Sequence, residues 1–316
     1  MEAIFERSCG MDVHKETLTA CIIISRNGKV KKKEIRTFPT MTEDIEKLRE
    51  WLRAEGVTHV AMESTGIYWR PVFNILEEDF EIILANARHI KNVPGRKTDV
   101  QDSEWLCKLL RNGLIRGSFI PPKHIRQLRD LTRHRKKIND NIASEKNRLQ
   151  KYLEDANIKL SSVASDTFGV SGRTMLKEIL EGNTDAEALS KLAVGRLKKK
   201  EADLKKSFNS RITEHHRTMI NFSLKHIEYM EQLLMEIDGE IDKLMEQNNM
   251  KEAAELLDGI PGVNEKAAES IIAETGTDMS KFPSAEHIAS WAGVCPGNNE
   301  SAGKKKVERR PMETNG

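Results

Sequence analysis

Apolar and polar positions divide the chain into stretches of different period. Between residues 9 and 25 the pattern is that of a strand, with Leu18, Ala20, Ile22 and Ile24 alternating with Thr17, Thr19, Cys21 and Ile23. Arg26-Asn27-Gly28-Lys29 predicts a hairpin turn, because Asn-Gly accepts the positive φ angles that a tight turn needs. Val30 to Phe38 returns as a lysine-rich strand suited to a sheet edge. Thr42 is expected to cap a helix running to about Glu55, with Ile45, Leu48, Trp51 and Leu52 on one face. A buried strand over 57–62, a helix over 68–78 and a strand over 81–85 follow. Thr98 then opens a helix that carries Asp99, Asp102, Trp105, Leu106 and Leu109. Strands alternating with helices imply a central mixed sheet, parallel in its later strands.

After Pro121-Pro122 the period lengthens. Leu128, Leu131, Ile138, Ile142, Leu149 and Tyr152 keep a three-four spacing, and so do Ile220, Leu224, Ile227, Leu234, Ile237, Ile241 and Leu244. Two long helices with such seams predict an antiparallel coiled coil, with residues 156–206 forming short helices at its tip. From Lys251 onward, L-L-D-G-I-P-G-V precedes Ala267, Ala268, Ile271, Ile272 and Ala273. This predicts a helix-hairpin-helix in which Gly259 and Gly262 shape the turn and unpaired N–H groups of the second helix receive a DNA phosphate. The fold class expected is α/β plus α: an RNase H/RuvC-like mixed-sheet domain over 1–120, a coiled-coil region with a basic tip over 121–250, and a helical domain over 251–316.

Charge changes the picture from fold to partner. The net charge is only +2, with 32% charged residues and 5% aromatics, but the charges are segregated. Lys123 to Lys151 holds ten Lys/Arg against three acids, Lys191 to Lys206 seven against two, and Glu228 to Asp258 ten acids against two Lys. Basic segments on a nearly neutral chain point to a nucleic-acid surface, for which Arg133, Lys136 and Lys137 are candidates. Cys9, Cys21, Cys107 and Cys295 form no C-x-x-C pair, so the expectation is reduced thiols in a cytoplasmic protein. Glu2, Glu6 and Arg7 do not fit a signal peptide, and no apolar run approaches a membrane span.

Four acids then define candidate chemistry. Asp12 lies at the head of an apolar run in C-G-M-D-V-H-K, Glu63 ends a second in V-A-M-E-S-T-G, and Asp99 and Asp102 sit one helical turn apart in K-T-D-V-Q-D-S. Acids at the ends of buried strands are costly unless compensated, and four that converge make an all-oxygen ligand set for two Mg2+ ions. Such a set is the plan of an RNase H-like phosphodiester enzyme. His14 reads either as a residue that orients Asp12 or as a structural histidine. Arg96 and Lys97 read either as phosphate contacts or as solvated loop charges. Ser301, in W-A-G-V-C-P-G-N-N-E-S-A-G-K-K-K, is a candidate nucleophile with Lys304 to Lys306 beside it; an ordinary loop serine is the competing reading.

Taken together, G-M-D-V-H-K, M-E-S-T-G-I-Y-W, K-T-D-V-Q-D-S, G-I-P-G-V and A-G-V-C-P-G-N-N-E-S-A-G-K resemble, in this order, the DEDD transposases of insertion-sequence family one-ten. The resemblance spans essentially the whole chain. It implies that Asp12, Glu63, Asp99 and Asp102 bind Mg2+ and that Ser301 forms a covalent phosphoserine link to DNA. It also implies a homo-oligomer, a dimer or tetramer, in which the serine and the carboxylates come from different protomers. A structured guide RNA would select donor and target DNA in a prokaryotic, nucleoid-associated setting. The tail V-E-R-R-P-M-E-T-N-G departs from the family pattern, so residues 307–316 are expected to be out of frame and this copy truncated. Two alternatives stay open: a RuvC-like nuclease that cuts branched DNA with water, and an inactive copy that only binds nucleic acid.

Overall fold

The computed structural model describes residues 4–63, 66–85, 102–115, 117–118 and 120–294, together with the backbone of 300–301 and 304–305. The chain divides into two compact units, Met1–Ile120 with Pro296–Gly316, and Pro121–Cys295.

The first unit is a six-stranded mixed sheet in the order β3-β2-β1-β4-β5-β6. Its strands are β1 Arg7–Val13, β2 Thr17–Arg26, β3 Lys29–Pro39, β4 His59–Glu63, β5 Glu81–Ala85 and β6 Gly117–Ser118. β1, β4 and β5 run parallel, and the other pairings are antiparallel. Helices α1 (Thr42–Ala54), α2 (Trp69–Leu76) and α3 (Asp102–Arg111) pack around it. Cys9, Met11, Val13, Val60 and Met62 belong to a core shared with Ile45, Leu48 and Leu52 of α1 and Val72, Phe73 and Leu76 of α2. On the opposite face, Cys21 and Ile23 of β2 meet Cys107 of α3.

Two local expectations need correction. The strand expected over 9–25 is two strands, broken by the exposed turn His14-Lys15-Glu16. Both strands are buried on both faces near their middle, so the period-two signal that would have separated them is absent. Thr42 is the first helical residue of α1 instead of its cap; Met41 holds the cap position, with no side-chain hydrogen bond.

In the second unit, α4 (Lys123–Asp155) and α8 (Glu214–Gln247) are long helices packed antiparallel. Their direction is set by Arg135–Asp238 at 3.0 Å, Glu145–His226 at 3.6 Å and Asp155–His216 at 2.9 Å, whose numbers rise on one helix as they fall on the other. The seam contains Leu128, Ile138, Ile142, Leu149, Ile220, Leu224, Ile227, Ile237 and Ile241. It also buries Thr132, Arg135, Glu145 and Ser223. Between the two helices lies a cap of short helices: α5 (Val170–Leu180), α6 (Ala186–Lys191), a three-ten turn at Gly195–Lys200 and α7 (Glu201–Ser207). Past α8 come α9 (Lys251–Asp258), α10 (Glu265–Thr275) and α11 (Ala285–Trp291). No helix among the described residues is long and apolar enough to cross a membrane.

Candidate functional site

β1 and β4 are paired so that Gly10 faces Ala61 and Met11 faces Met62; the next step of that register sets Asp12 beside Glu63. Met11 and Met62 point into the α1–α2 core, so strand alternation turns Asp12 and Glu63 to the other face, together with Gly10 and Ala61. That face carries α3. A Cβ on Gly10 would lie 2.2 Å from the Ser103 carbonyl oxygen and 2.3 Å from the Cys107 nitrogen. The Cys107 thiol donates to the Ser8 carbonyl at 3.3 Å. Moving from Ser8 through Gly10 to Asp12 along β1 therefore follows α3 from Cys107 back to its first residue, Asp102. Three of the four predicted acids thus share one face and one end of the sheet. Asp99, Lys97 and Thr98 lie outside the described residues.

The neighbours of these acids are polar. His14 Nε2 is 3.1 Å from Asp12 Oδ2. Across β2, Asp12 stands opposite Thr19, whose hydroxyl is 3.2 Å from that of Thr37 on β3. Glu104, also in the first turn of α3, is set apart from this group. Its hydrogen bonds to Lys108 and Lys33 hold its carboxyl below the usual range, and the Lys33 bond at 2.9 Å ties α3 to the edge strand. The carboxylates of Asp12 and Glu63 are oxygen donors, a chemistry that suits a hard divalent cation, with the His14 ring beside Asp12.

Ser301 lies in a two-residue strand β7 (Glu300–Ser301), paired antiparallel with β8 (Lys304–Lys305) so that Ser301 is opposite Lys304.

The predicted nucleic-acid residues fare differently from one another. Lys136 and Lys137 are exposed and make no ion pair among the described residues. Arg133 is committed internally, its Nε and Nη2 donating to both oxygens of Glu274 at 2.8 and 3.1 Å. Arg129 donates to the carbonyl oxygens of Ala273 and Glu274 at 3.0 and 2.9 Å, capping the end of α10. Arg135, which composition marks only as one more cation, is buried and pairs with buried Glu269 and with Asp238. Its place in the three-four seam of α4 was the available signal.

The α9–α10 turn also differs from expectation. Gly262 has φ of 91°, as a tight turn needs, but Asn264 accepts from the Ala267 N–H at 2.9 Å and takes one of the donors a phosphate was expected to use. The carboxylates of Asp242, Glu265 and Glu269 lie within 4.8 Å of one another beside the same turn of α10. Burial, together with the neighbouring Glu265 and Asp242, raises the Glu269 carboxyl despite the opposing pull of Arg135. An acidic field of this kind disfavours a phosphate at Gly259 and Gly262.

A six-stranded mixed sheet with helices packed around it, followed by a long helical module, fits an RNase H-like domain with added helices. Residues 9–158 match a transposase family model of the IS110 DEDD type, and residues 254–314 match the model of the transposase IS116/IS110/IS902 family. The chain belongs to the IS110 family of DEDD transposases. No curated protein matches it.

Proposed function

We propose that this transposase cuts and rejoins DNA at the Asp12–Glu63–Asp102 site, with Asp99 completing the acidic set. The observation that carries the reading is the shared face: two strand acids side by side in the β1–β4 register, and a third opening the helix laid across that face. These four acids would hold Mg2+, two ions in the family reading, and bound metal supplies charge stabilisation to the reacting phosphate oxygens. Ser301 is the nucleophile. Its Oγ forms a bond to phosphorus as the bond from phosphorus to a sugar oxygen breaks, and the serine proton passes to the leaving oxygen. Lys304 and Lys305 neutralise the phosphate, and Lys97, Lys136 and Lys137 contact the nucleic-acid backbone.

Guidance by a structured RNA and a homo-oligomer that shares serine and carboxylates between protomers follow from the family resemblance; a coiled coil made by α4 and α8 and a helix-hairpin-helix made by α9 and α10 follow from the apolar spacing and the G-I-P-G-V turn. The test is to trap the reaction on labelled DNA, digest it and sequence the DNA-linked peptide. The linked residue is expected to be Ser301, and Ser301→Ala is expected to bind DNA without forming the adduct. An adduct at another residue, or strand exchange by Ser301→Ala, would overturn the assignment.

A further inference from the structure

Many cations in the second unit are engaged by groups of the protein itself. On α4, Arg129 and Arg133 bond to α10, Arg135 to Glu269, Lys146 to Glu231 and Arg148 to Glu145. In and around the cap, Lys159 pairs with Glu154, Arg173 with Glu231, Lys177 with Glu228, and Lys191 and Lys205 with Glu187. Arg196, Lys198, Lys199, Lys206 and Arg211, by contrast, are all exposed and, like Lys136 and Lys137 on α4, make no ion pair among the described residues. The acids next to them in sequence, Glu201 and Asp203, bond to none of the five.

These cations stand on a fixed platform. The Val194 N–H donates to Ser171 Oγ at 3.0 Å and Lys200 Nζ to the Val163 carbonyl at 2.9 Å, pinning both ends of the Gly195–Lys200 turn. Ala193, Leu204 and Phe208 are buried beneath it. The Arg211 N–H donates to the Ala156 carbonyl at 3.0 Å, and the Lys159 N–H to that of Ser207, also at 3.0 Å, closing the cap onto the end of α4. Like charges gathered on one exposed segment repel one another, and a polyanion removes that cost.

We propose that the cap is a nucleic-acid surface on which Arg196, Lys198, Lys199, Lys206 and Arg211 take the phosphodiester backbone of a duplex. Residues 194–206 contain no aromatic side chain, so they offer no ring for unpaired bases to stack on. Backbone contact without stacking favours a duplex held independently of sequence. The inference rests on the proposed function only in that the enzyme handles nucleic acid, and its test reads binding alone.

The full-length protein is titrated with duplex DNA and, separately, duplex RNA across a range of salt. The variant R196A/K198A/K199A is expected to bind about tenfold or more weakly at low salt, with the slope of log affinity against log salt shallower by about two to three. K206Q/R211Q carries the same test should the first variant unfold early. Loss on DNA alone or on RNA alone would support the proposal and name the ligand, and loss on both would support a general backbone site. Unchanged affinity and slope on both would overturn it. An Asp12→Ala protein that still exchanges strands would sink the proposed function while leaving this result untouched.

Discussion

Gly10 and Ser103 stand so close that a methyl group on Gly10 would meet the Ser103 carbonyl oxygen at 2.2 Å. The obstacle is backbone on both sides, so no rotamer change relieves it. Gly10→Ala is expected to push α3 off the sheet and to destabilise the fold by about 1–3 kcal/mol. Because α3 begins at Asp102, DNA cleavage should fall well beyond what lost stability explains. Urea unfolding and cleavage rates on the same preparation check both. A variant of wild-type stability and activity would mean that α3 does not ride on β1 as described.

Arg135 and Glu269 form an ion pair that is nearly closed to solvent, with 6% and 8% of their side chains exposed. Removing one partner leaves a buried charge, so Arg135→Ala should cost about 3 kcal/mol. Arg135→Met combined with Glu269→Leu should recover most of that loss, since neither charge is then stranded. Equal destabilisation of the single and double variants in denaturant melts would count against a buried pair.

Arg133 is held to Glu274 at a half-exposed site, where screening limits the gain to about 1 kcal/mol or less. Arg133→Ala should lower stability by no more than that and leave the salt dependence of nucleic-acid binding unchanged. A shallower salt slope in this variant would return Arg133 to the nucleic-acid surface.

The contrast between Arg133 and the strand acids shows what sequence can carry. Glu63 ends an apolar run and so announces a strand end, but the pattern sets Asp12 at the head of a single strand over 9–25; the break after Val13 and the parallel register of β1 with β4 are what bring the two acids together on one face. That Arg133 and Arg135 of α4 are already engaged depends on acids more than a hundred residues away, and no local pattern reports that. The split of 9–25 into β1 and β2 is hidden for a related reason: strands buried on both faces lose their alternation. Asn264 is different, since an Asn just before a helix is a readable cap.

Glu187 bonds to Lys205 and Lys191, which bring its carboxyl down to about 2. A carboxyl lowered in the folded state adds stability above its unfolded value and loses it as pH falls through the folded one. Stability should therefore drop between the ordinary carboxylate range and pH about 2, and Glu187→Gln should flatten that part of the profile. Thermal melts of the two proteins across this window are the check; parallel profiles would show that Glu187 is not held in the folded protein.

Under the proposed function the acids at the Asp12 end of the sheet, and not the Asp242–Glu265–Glu269 cluster, bind the metal. Replacing Mg2+ with Fe2+ and adding ascorbate and peroxide generates radicals that cut the polypeptide near the bound ion. The expected cuts fall around residues 12, 63 and 102 together, and vanish in Asp12→Ala. Cuts confined to the neighbourhood of 242, 265 and 269, or cuts near 12 that survive Asp12→Ala, would contradict the account.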